Sequence, residues 1–217
     1  MDWVCLDFGG VLCDDRAARG AMIALAASLV GAPIVEVRAV RREKGSILAA
    51  LEHYADGAEG FDPLQRRFEE LVVESPAAFG PPPYDDVPAA LGRLSARFRL
   101  ALASNTVGTT RPWLEKHGLT GFFSLLYLSN EVGFRKPQPE FFAGLIAACG
   151  AEAGRMLMVG DRTDTDLAPA LSAGMRAALV RRYPKPLPGY AVISSRLLAE
   201  VADQRRPHTG GKRRRQV

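Results

Sequence analysis

The sequence LDFGGVL, residues 6–12, places a carboxylate directly after an apolar segment. Residues 3–8 are apolar except for Asp7, which is typical of a strand buried inside a parallel sheet. Gly9 and Gly10 allow the backbone to turn sharply and to approach a ligand closely. Because ligands of open α/β sheets bind outside the carboxyl ends of the strands, we interpret Asp7 as a functional residue. The alternative is a carboxylate that only stabilises the turn.

Three further apolar segments run into polar residues in the same way. A hydroxyl, a lysine and an acidic cluster follow them in order within residues 99–106, 125–137 and 156–166. The strand ends would therefore gather a nucleophile, a hydroxyl donor, a cation and oxygen ligands for a metal at one edge of a sheet. Helical segments alternate with the apolar ones, which predicts an α/β fold: a Rossmann-like, doubly wound parallel sheet with helices on both faces.

In these residues the chain resembles the haloacid dehalogenase (HAD) superfamily of aspartate-nucleophile hydrolases. The motifs of that family are an Asp-x-Asp after the first strand, a Ser or Thr after the second, a Lys, and a Gly-Asp with a second Asp a few residues on. The four motifs have counterparts here in order, over about residues 1–200. Residues 103–106 and 127–137 are most similar to one branch, which contains the glucose-1-phosphatase type of sugar-phosphate phosphatase and the phosphatase-like domain of epoxide hydrolases.

The resemblance implies a phosphatase that acts on a small phosphorylated metabolite, such as a sugar phosphate. Asp7 is then the nucleophile that forms an aspartyl-phosphate, and Ser104 and Lys136 complete the catalytic set. The residues implied to bind substrate are Gly10, Ser104, Asn105 and Lys136. The implied cofactor is Mg²⁺, which prefers hard oxygen ligands, and its implied ligands are Asp7, the Gly9 carbonyl, Asp161 and Asp166. Asp166 would act through water or by orienting Lys136.

Two of these assignments have structural alternatives. The acidic loop after residue 160 could cap the helix that follows it through Asp164 or Asp166. Arg135 and Lys136 could form a solvated pair on the surface, although the following proline and the turn from Gly133 favour a positioned lysine.

Gly9 departs from the family pattern. The family's second Asp, which serves as general acid and base, would stand at this position. Gly9 keeps the backbone carbonyl for the metal but supplies no proton to the leaving group, and such help is typically worth about 10²–10⁴ in rate. We therefore expect good leaving groups to be favoured, unless Asp14 or Asp15 supplies the missing acid.

Between residue 13 and residue 84 the pattern is helical. Helices are predicted over residues 16–30, 34–44, 46–54 and 62–74. We interpret residues 14–83 as a helical cap that the resemblance places over the site; a bundle that only stabilises the fold is the alternative. The core is then residues 1–13 and 84–203. Its predicted helices are 86–97, 110–117, 139–149, 167–173 and 195–202, and its predicted later strands are 98–103, 124–128, 156–159, 176–180 and 190–193.

Composition narrows the class of protein. With 217 residues, 47% of them hydrophobic and 24% charged, the chain is typical of a globular protein with one core and an insertion. It lacks the roughly 18 consecutive apolar residues that a membrane span needs, and no basic segment precedes its first apolar strand, so we expect a cytoplasmic location. Three cysteines without paired spacing predict neither disulfides nor a zinc site.

The net charge of +4 includes six cations in residues 204–217, so the rest of the chain carries −2. We predict that this basic tail is disordered, because it offers almost nothing to bury. Contact with nucleic acid is expected only through the tail. No membrane partner is expected, and the chain is expected to be a monomer or a homodimer.

Two other functional classes remain beside the phosphatase. A 2-haloacid dehalogenase also uses an Asp nucleophile but needs no metal, so it would not need the acidic cluster of residues 160–166. A phosphate-binding or interaction module with weakened catalysis would explain Gly9 and the basic tail. Retention of the other site residues argues against that third class.

Overall fold

The computed structural model describes residues 1–75, 80–182 and 192–194. Its six strands form one parallel sheet in the order β3-β2-β1-β4-β5-β6, which confirms the predicted fold class. The strands are β1 (Trp3–Leu6), β2 (Arg99–Ser104), β3 (Leu125–Leu128), β4 (Met156–Gly160), β5 (Arg176–Arg181) and β6 (Val192–Ser194).

The strand order reverses beside β1. From β1 the chain proceeds outward through β2 and β3, and then returns to place β4 on the other side of β1. Leu6 at the end of β1 is level with Leu102 of β2 and Val159 of β4. Asp7 therefore leaves the sheet at the point where crevices form in doubly wound folds.

Both faces of the sheet are covered. Alternate residues of β1 belong to different hydrophobic clusters, Val4 and Leu6 to one and Trp3 and Cys5 to the other, as the two-residue period of a strand requires. The covering helices are α5 (Val87–Ser95), α6 (Thr110–Lys116), α7 (Ser129–Val132), α8 (Pro139–Cys149) and α9 (Ala168–Ser172), with short turns of 3₁₀-helix at Thr120–Phe122 and Ala153–Arg155.

A separate helical layer is inserted between β1 and α5. It consists of α1 (Arg16–Val30), α2 (Ile34–Lys44), α3 (Ile47–Tyr54) and α4 (Gly57–Glu74). These helices share their own hydrophobic cluster, in which Leu51, Phe68 and Val72 are almost completely buried. The antiparallel bridge between Cys13 and Pro83 brings the two ends of the insertion together. The cap boundaries at residues 14 and 83 stay a prediction.

Among the described helices α3, α5 and α6 differ from the predicted bounds by one or two residues at an end, and α7 was not predicted. Two other helices differ for a structural reason. The fourth was expected to begin at residue 62 but α4 begins at Gly57, because the extra turn lets Phe61 pack against the helical cluster. The helix expected from residue 167 is preceded by a π-helical turn, Thr163–Leu167, in which the backbone N–H groups of Asp166 and Leu167 both donate to the Arg162 carbonyl. This wider turn directs the Asp166 side chain toward Lys136.

The remaining sequence predictions concern cysteines, membranes and the carboxyl end. Cys5, Cys13 and Cys149 are buried free thiols. In the described part of the chain no single helix is long and apolar enough to cross a membrane, and only the bent pair α1 and α2 passes such a test by length and composition. The helix predicted over residues 195–202 and the basic tail lie outside the described residues.

Candidate active site

A buried lysine connects two carboxylates at the carboxyl edge of the sheet. Lys136 Nζ donates to Asp7 Oδ1 at 2.8 Å and to Asp166 Oδ1 at 2.6 Å. The exposed fractions of Asp7, Lys136 and Asp166 are 9%, 2% and 1%. Burial alone would lower the pKa of Lys136, but the adjacent Asp166 and Asp7 raise it on balance. The lysine is therefore a fixed positive charge, and the solvated-pair alternative is wrong for Lys136.

Asn105 holds this lysine in place. Its side-chain amide donates to the Lys136 carbonyl at 2.8 Å, and its Oδ1 accepts from the Lys136 backbone N–H at 2.8 Å. These two hydrogen bonds join residues that are 31 positions apart in the sequence. Asn105 also lines the cavity described below. Its contact with substrate stays a prediction, but its positioning of Lys136 is a role that the sequence analysis missed.

Three carboxylates form a cluster in which the charge of Lys136 cannot balance all of the negative charges. One oxygen each of Asp7, Asp161 and Asp166 lies within 4.8 Å of the others. Burial, followed by the charges of Asp7 and Asp166, raises the pKa of Asp161 to about 7. Burial likewise raises the pKa of Asp166 against the opposing effect of Lys136. A cation among these oxygens would remove the repulsion, and the all-oxygen donor set fits Mg²⁺.

Two glycines make room for this cluster. A Cβ on Gly10 would overlap the Asp161 carboxylate, and a Cβ on Gly160 would overlap that of Asp166. Gly10 also has φ = 71°, a conformation that side chains other than glycine rarely adopt. Its N–H donates to the Cys13 carbonyl at 2.9 Å. The Gly10 N–H is thus used within the protein, the absence of a side chain leaves room for Asp161, and the contact of Gly10 with substrate stays a prediction.

Asp166 uses both of its oxygens within the protein. Oδ1 accepts from Lys136, and Oδ2 accepts from the Arg162 backbone N–H at 3.1 Å. These bonds match the predicted orienting role. Asp164 instead pairs with the Arg162 guanidinium at the surface, and the hydrogen bond from that group lowers the pKa of Asp164.

The Asp15 carboxylate occupies the space that a side chain at residue 9 would need. A Cβ built on Gly9 would overlap it. Burial raises the pKa of Asp15, and Arg19 opposes that shift. Arg19 lies 3.3 Å from Asp15 Oδ1, yet this oxygen receives no hydrogen bond from the described residues. Asp14, the other candidate acid, pairs with Arg16 at the surface instead.

The site opens into a cavity of about 170 Å³ between the sheet edge and the helical insertion. Asp7, Gly9, Ser104 and Lys136 line it from the sheet side. Ser104 ends β2, and its hydroxyl makes one long hydrogen bond within the described residues, 3.4 Å to the Asn105 carbonyl, so it can bind a ligand. Cavity residues that the sequence analysis missed are Arg19, Arg41, Thr106, Arg162 and Thr165. Their helical or loop positions carried no motif that would have identified them.

Comparisons with known proteins agree with this geometry. Residues 1–174 match the model of the haloacid dehalogenase-like hydrolases. The glyceraldehyde 3-phosphate phosphatase of Methanothermobacter thermautotrophicus is 36% identical over 88 residues, which are 40% of this chain and 38% of that protein. The phosphoserine phosphatase of Thermus thermophilus is 37% identical over 107 residues, 48% and 43% of the two chains.

The alignments therefore span about two fifths of the length of these curated relatives. Among solved structures, the HAD-hydrolase YfnB of Bacillus subtilis, crystallised with bound magnesium, superposes with a TM-score of 0.62 at 21% identity over 94% of this chain and 97% of its own. That likeness concerns the fold. The family match covers most of the chain, and the chain belongs to the haloacid dehalogenase-like hydrolases.

Proposed function

We propose that this protein is a Mg²⁺-dependent phosphatase of a small phosphorylated metabolite. The observation that carries the proposal is the contact of Lys136 with Asp7 and Asp166, which line a cavity, and the clustering of Asp161 with these two carboxylates. Phosphoryl transfer requires a nucleophile and charge neutralisation more than any other chemistry. Phosphatase relatives, although matched over less than half of their length, support the same reaction class.

Asp7 is the proposed nucleophile. Lys136 fixes one of its oxygens, Oδ1, while Oδ2 has no hydrogen-bond partner among the described residues. The free oxygen attacks phosphorus, the bond to the leaving oxygen breaks, and water then hydrolyses the aspartyl-phosphate to phosphate and free Asp7. The Ser104 hydroxyl donates a hydrogen bond to a phosphoryl oxygen, and Lys136 compensates the negative charge on both reactants.

Asp7, the Gly9 carbonyl and Asp161 would hold Mg²⁺, with Asp166 behind them. The bound cation supplies positive charge against the phosphoryl oxygens. Two observations support a cation here: the three carboxylates lie close together, and burial and neighbouring carboxylates raise the pKa of Asp161 to about 7.

The proton for the leaving group is proposed to come from Asp15. Its carboxyl group replaces the side chain that Gly9 lacks and lines the same cavity as Asp7. Asp14 is excluded from this role by its surface ion pair with Arg16 and its absence from the cavity wall. The overlap at Gly9 also means that Gly9→Asp would displace Asp15 rather than simply add an acid.

The experiment is turnover of p-nitrophenyl phosphate with Mg²⁺ and with excess EDTA, in the wild type and in Asp7→Asn. The substitution removes the nucleophile and changes almost no volume, so we expect a loss of at least about 10³-fold with an unchanged fold. Glu131→Gln, which alters an exposed ion pair with Arg111, is the matched control. Activity of Asp7→Asn within tenfold of the wild type contradicts the proposal.

Two further measurements on the same proteins address the two other classes. Turnover of a 2-haloacid in excess EDTA would support the dehalogenase, whose Asp nucleophile needs no metal. Phosphate binding without any turnover would support a catalytically weakened module. A cytoplasmic location, a monomer or homodimer, and nucleic-acid contact only through the basic tail are further parts of the proposal.

A further inference from the structure

Arg41 is a cation of the cavity wall that has no ion-paired carboxylate in the described part of the chain. The other three arginines that line the cavity each lie near an acid: Arg19 with Asp15 at 3.3 Å, Arg135 with Glu52 at 3.6 Å and Arg162 with Asp164 at 2.7 Å. Among the described residues Arg41 forms no such ion pair and no side-chain hydrogen bond. It is half-buried on α2, the helix of the insertion that ends at Lys44.

The surroundings of Arg41 favour an added anion. Burial, and then the positive charges of Arg162 and Arg19, lowers the pKa of Arg41. Asp15 and Asp164 oppose this shift, but they pair with Arg19 and Arg162 and form no ion pair with Arg41, so the partly dehydrated guanidinium has no direct counter-ion among the described residues. Arg41 also lies near two further cations, so an anion bound in the cavity beside it would be stabilised. This part of the cavity wall is built by the insertion rather than by the sheet.

The rest of that wall is mainly apolar. Met22, Ile23 and Ile47 come from the insertion, and Val107 comes from the loop after β2. These side chains suit a short carbon skeleton. Together with Asp7 and Lys136 at the sheet edge, the cavity presents one site for a phosphoryl group and one cation for a second anion, with apolar residues in its lining.

We propose that Arg41 binds a second anionic group of the substrate, a carboxylate or a second phosphate, while the phosphoryl group is held at Asp7. The inference rests on the proposed function and assigns its substrate class: small phosphomonoesters that carry a second anionic group. A guanidinium presents paired N–H donors that match either anion. Arg41 is thus a specificity-determining residue, and it takes no part in bond breaking.

The test measures binding separately from turnover. Calorimetry with Mg²⁺ present would give affinities for non-hydrolysable phosphonates of increasing length: phosphonoacetate, 3-phosphonopropanoate and 4-phosphonobutanoate, each against its carboxamide. The terminal bisphosphonates of the same lengths form a parallel series that distinguishes a phosphate from a carboxylate. The proteins are the wild type, Arg41→Gln, Arg41→Lys and the control Arg42→Gln, which changes the exposed neighbour on the same helix.

We expect the wild type to prefer the anionic member of at least one pair by about 10- to 100-fold, as charge-assisted hydrogen bonds do. Arg41→Gln should lose this preference, Arg41→Lys should keep part of it, and Arg42→Gln should keep all of it. No preference in the wild type at any length, or a preference that survives in Arg41→Gln, overturns the inference. Turnover of p-nitrophenyl phosphate, which has no second anion, judges the phosphatase separately: its absence in the wild type contradicts the proposed function, and the control Arg42→Gln should leave it unchanged.

Discussion

Asp161→Asn should stabilise the metal-free protein at pH 8 while abolishing its activity. The native carboxyl group has its pKa raised from 3.8 to about 7 by burial and by the charges of Asp7 and Asp166. At a pH between these two pKa values, Asp161 has lost its proton in the unfolded chain but still holds it in the native protein. Raising the pH through this window therefore lowers the free energy of unfolding, and above pH 7 the loss is complete.

The magnitude follows from the size of the shift. A separation of about three pH units, at about 1.4 kcal/mol each, gives an upper value of about 4 kcal/mol. The amide introduced by Asp161→Asn carries no charge at any pH, so the variant avoids this cost. It should match the wild type near pH 4 and exceed it by about 2–4 kcal/mol at pH 8.

Urea unfolding in EDTA at pH 4.5 and pH 8 measures the effect. Asp164→Asn is the matched control on the same turn, because the hydrogen bond from Arg162 lowers the pKa of Asp164 and the group is largely exposed. Adding Mg²⁺ at about 100 times its Kd should stabilise the wild type by about 2.7 kcal/mol and Asp161→Asn by much less. The free energies of unfolding of the wild type and Asp161→Asn differ by an amount that should depend on pH. If that difference changes by less than about 1 kcal/mol between the two pH values, the reasoning is refuted.

Three further predictions concern the acid, the lysine and the tail. Asp15→Asn should slow hydrolysis of alkyl phosphates by about 10²–10⁴ and of aryl phosphates far less; equal losses in a leaving-group series of kcat values would rule out proton transfer by Asp15. Lys136→Met should cost about 3–5 kcal/mol in urea unfolding, because it leaves the buried carboxylates of Asp7 and Asp166 unpaired; a cost below about 1 kcal/mol would contradict the buried bridge. Truncation after Asp203 should leave kcat and Tm nearly unchanged, because the basic tail offers almost nothing to bury; a loss above about 1 kcal/mol would show otherwise.

The bounds of three helices were predicted because glycines mark their ends. Helices α1, α2 and α8 have the predicted bounds, and each is followed by a glycine in the left-handed conformation, Gly31, Gly45 or Gly150. The start of α4 was predicted less well, because the packing of Phe61 extends this helix back to Gly57. Packing against distant residues is not visible in local sequence.

The same distinction applies to the candidate site. A pattern shared by Asp7, Ser104, Lys136 and Asp161 made them predictable: each lies at or after the end of an apolar strand, and strand ends of a parallel sheet meet at one edge. The hydrogen bonds between Asn105 and the Lys136 backbone could not be predicted from the sequence, because they depend on how two loops approach each other. Arg41 was not predicted either, because Arg38, Arg41 and Arg42 look alike until the helix is packed.

The charges on the two walls of the cavity are opposite in sign. The sheet edge places three carboxylates near one lysine, so it has excess negative charge that a cation would compensate. The insertion adds arginines, of which Arg41 forms no ion pair with a described residue, so its wall favours an anion. Under the proposed function, Mg²⁺ and a substrate with two anionic groups satisfy both walls at once. Each should then increase the affinity of the other, because a cation and an anionic substrate attract each other in one cavity, and thermodynamic linkage makes the two factors equal.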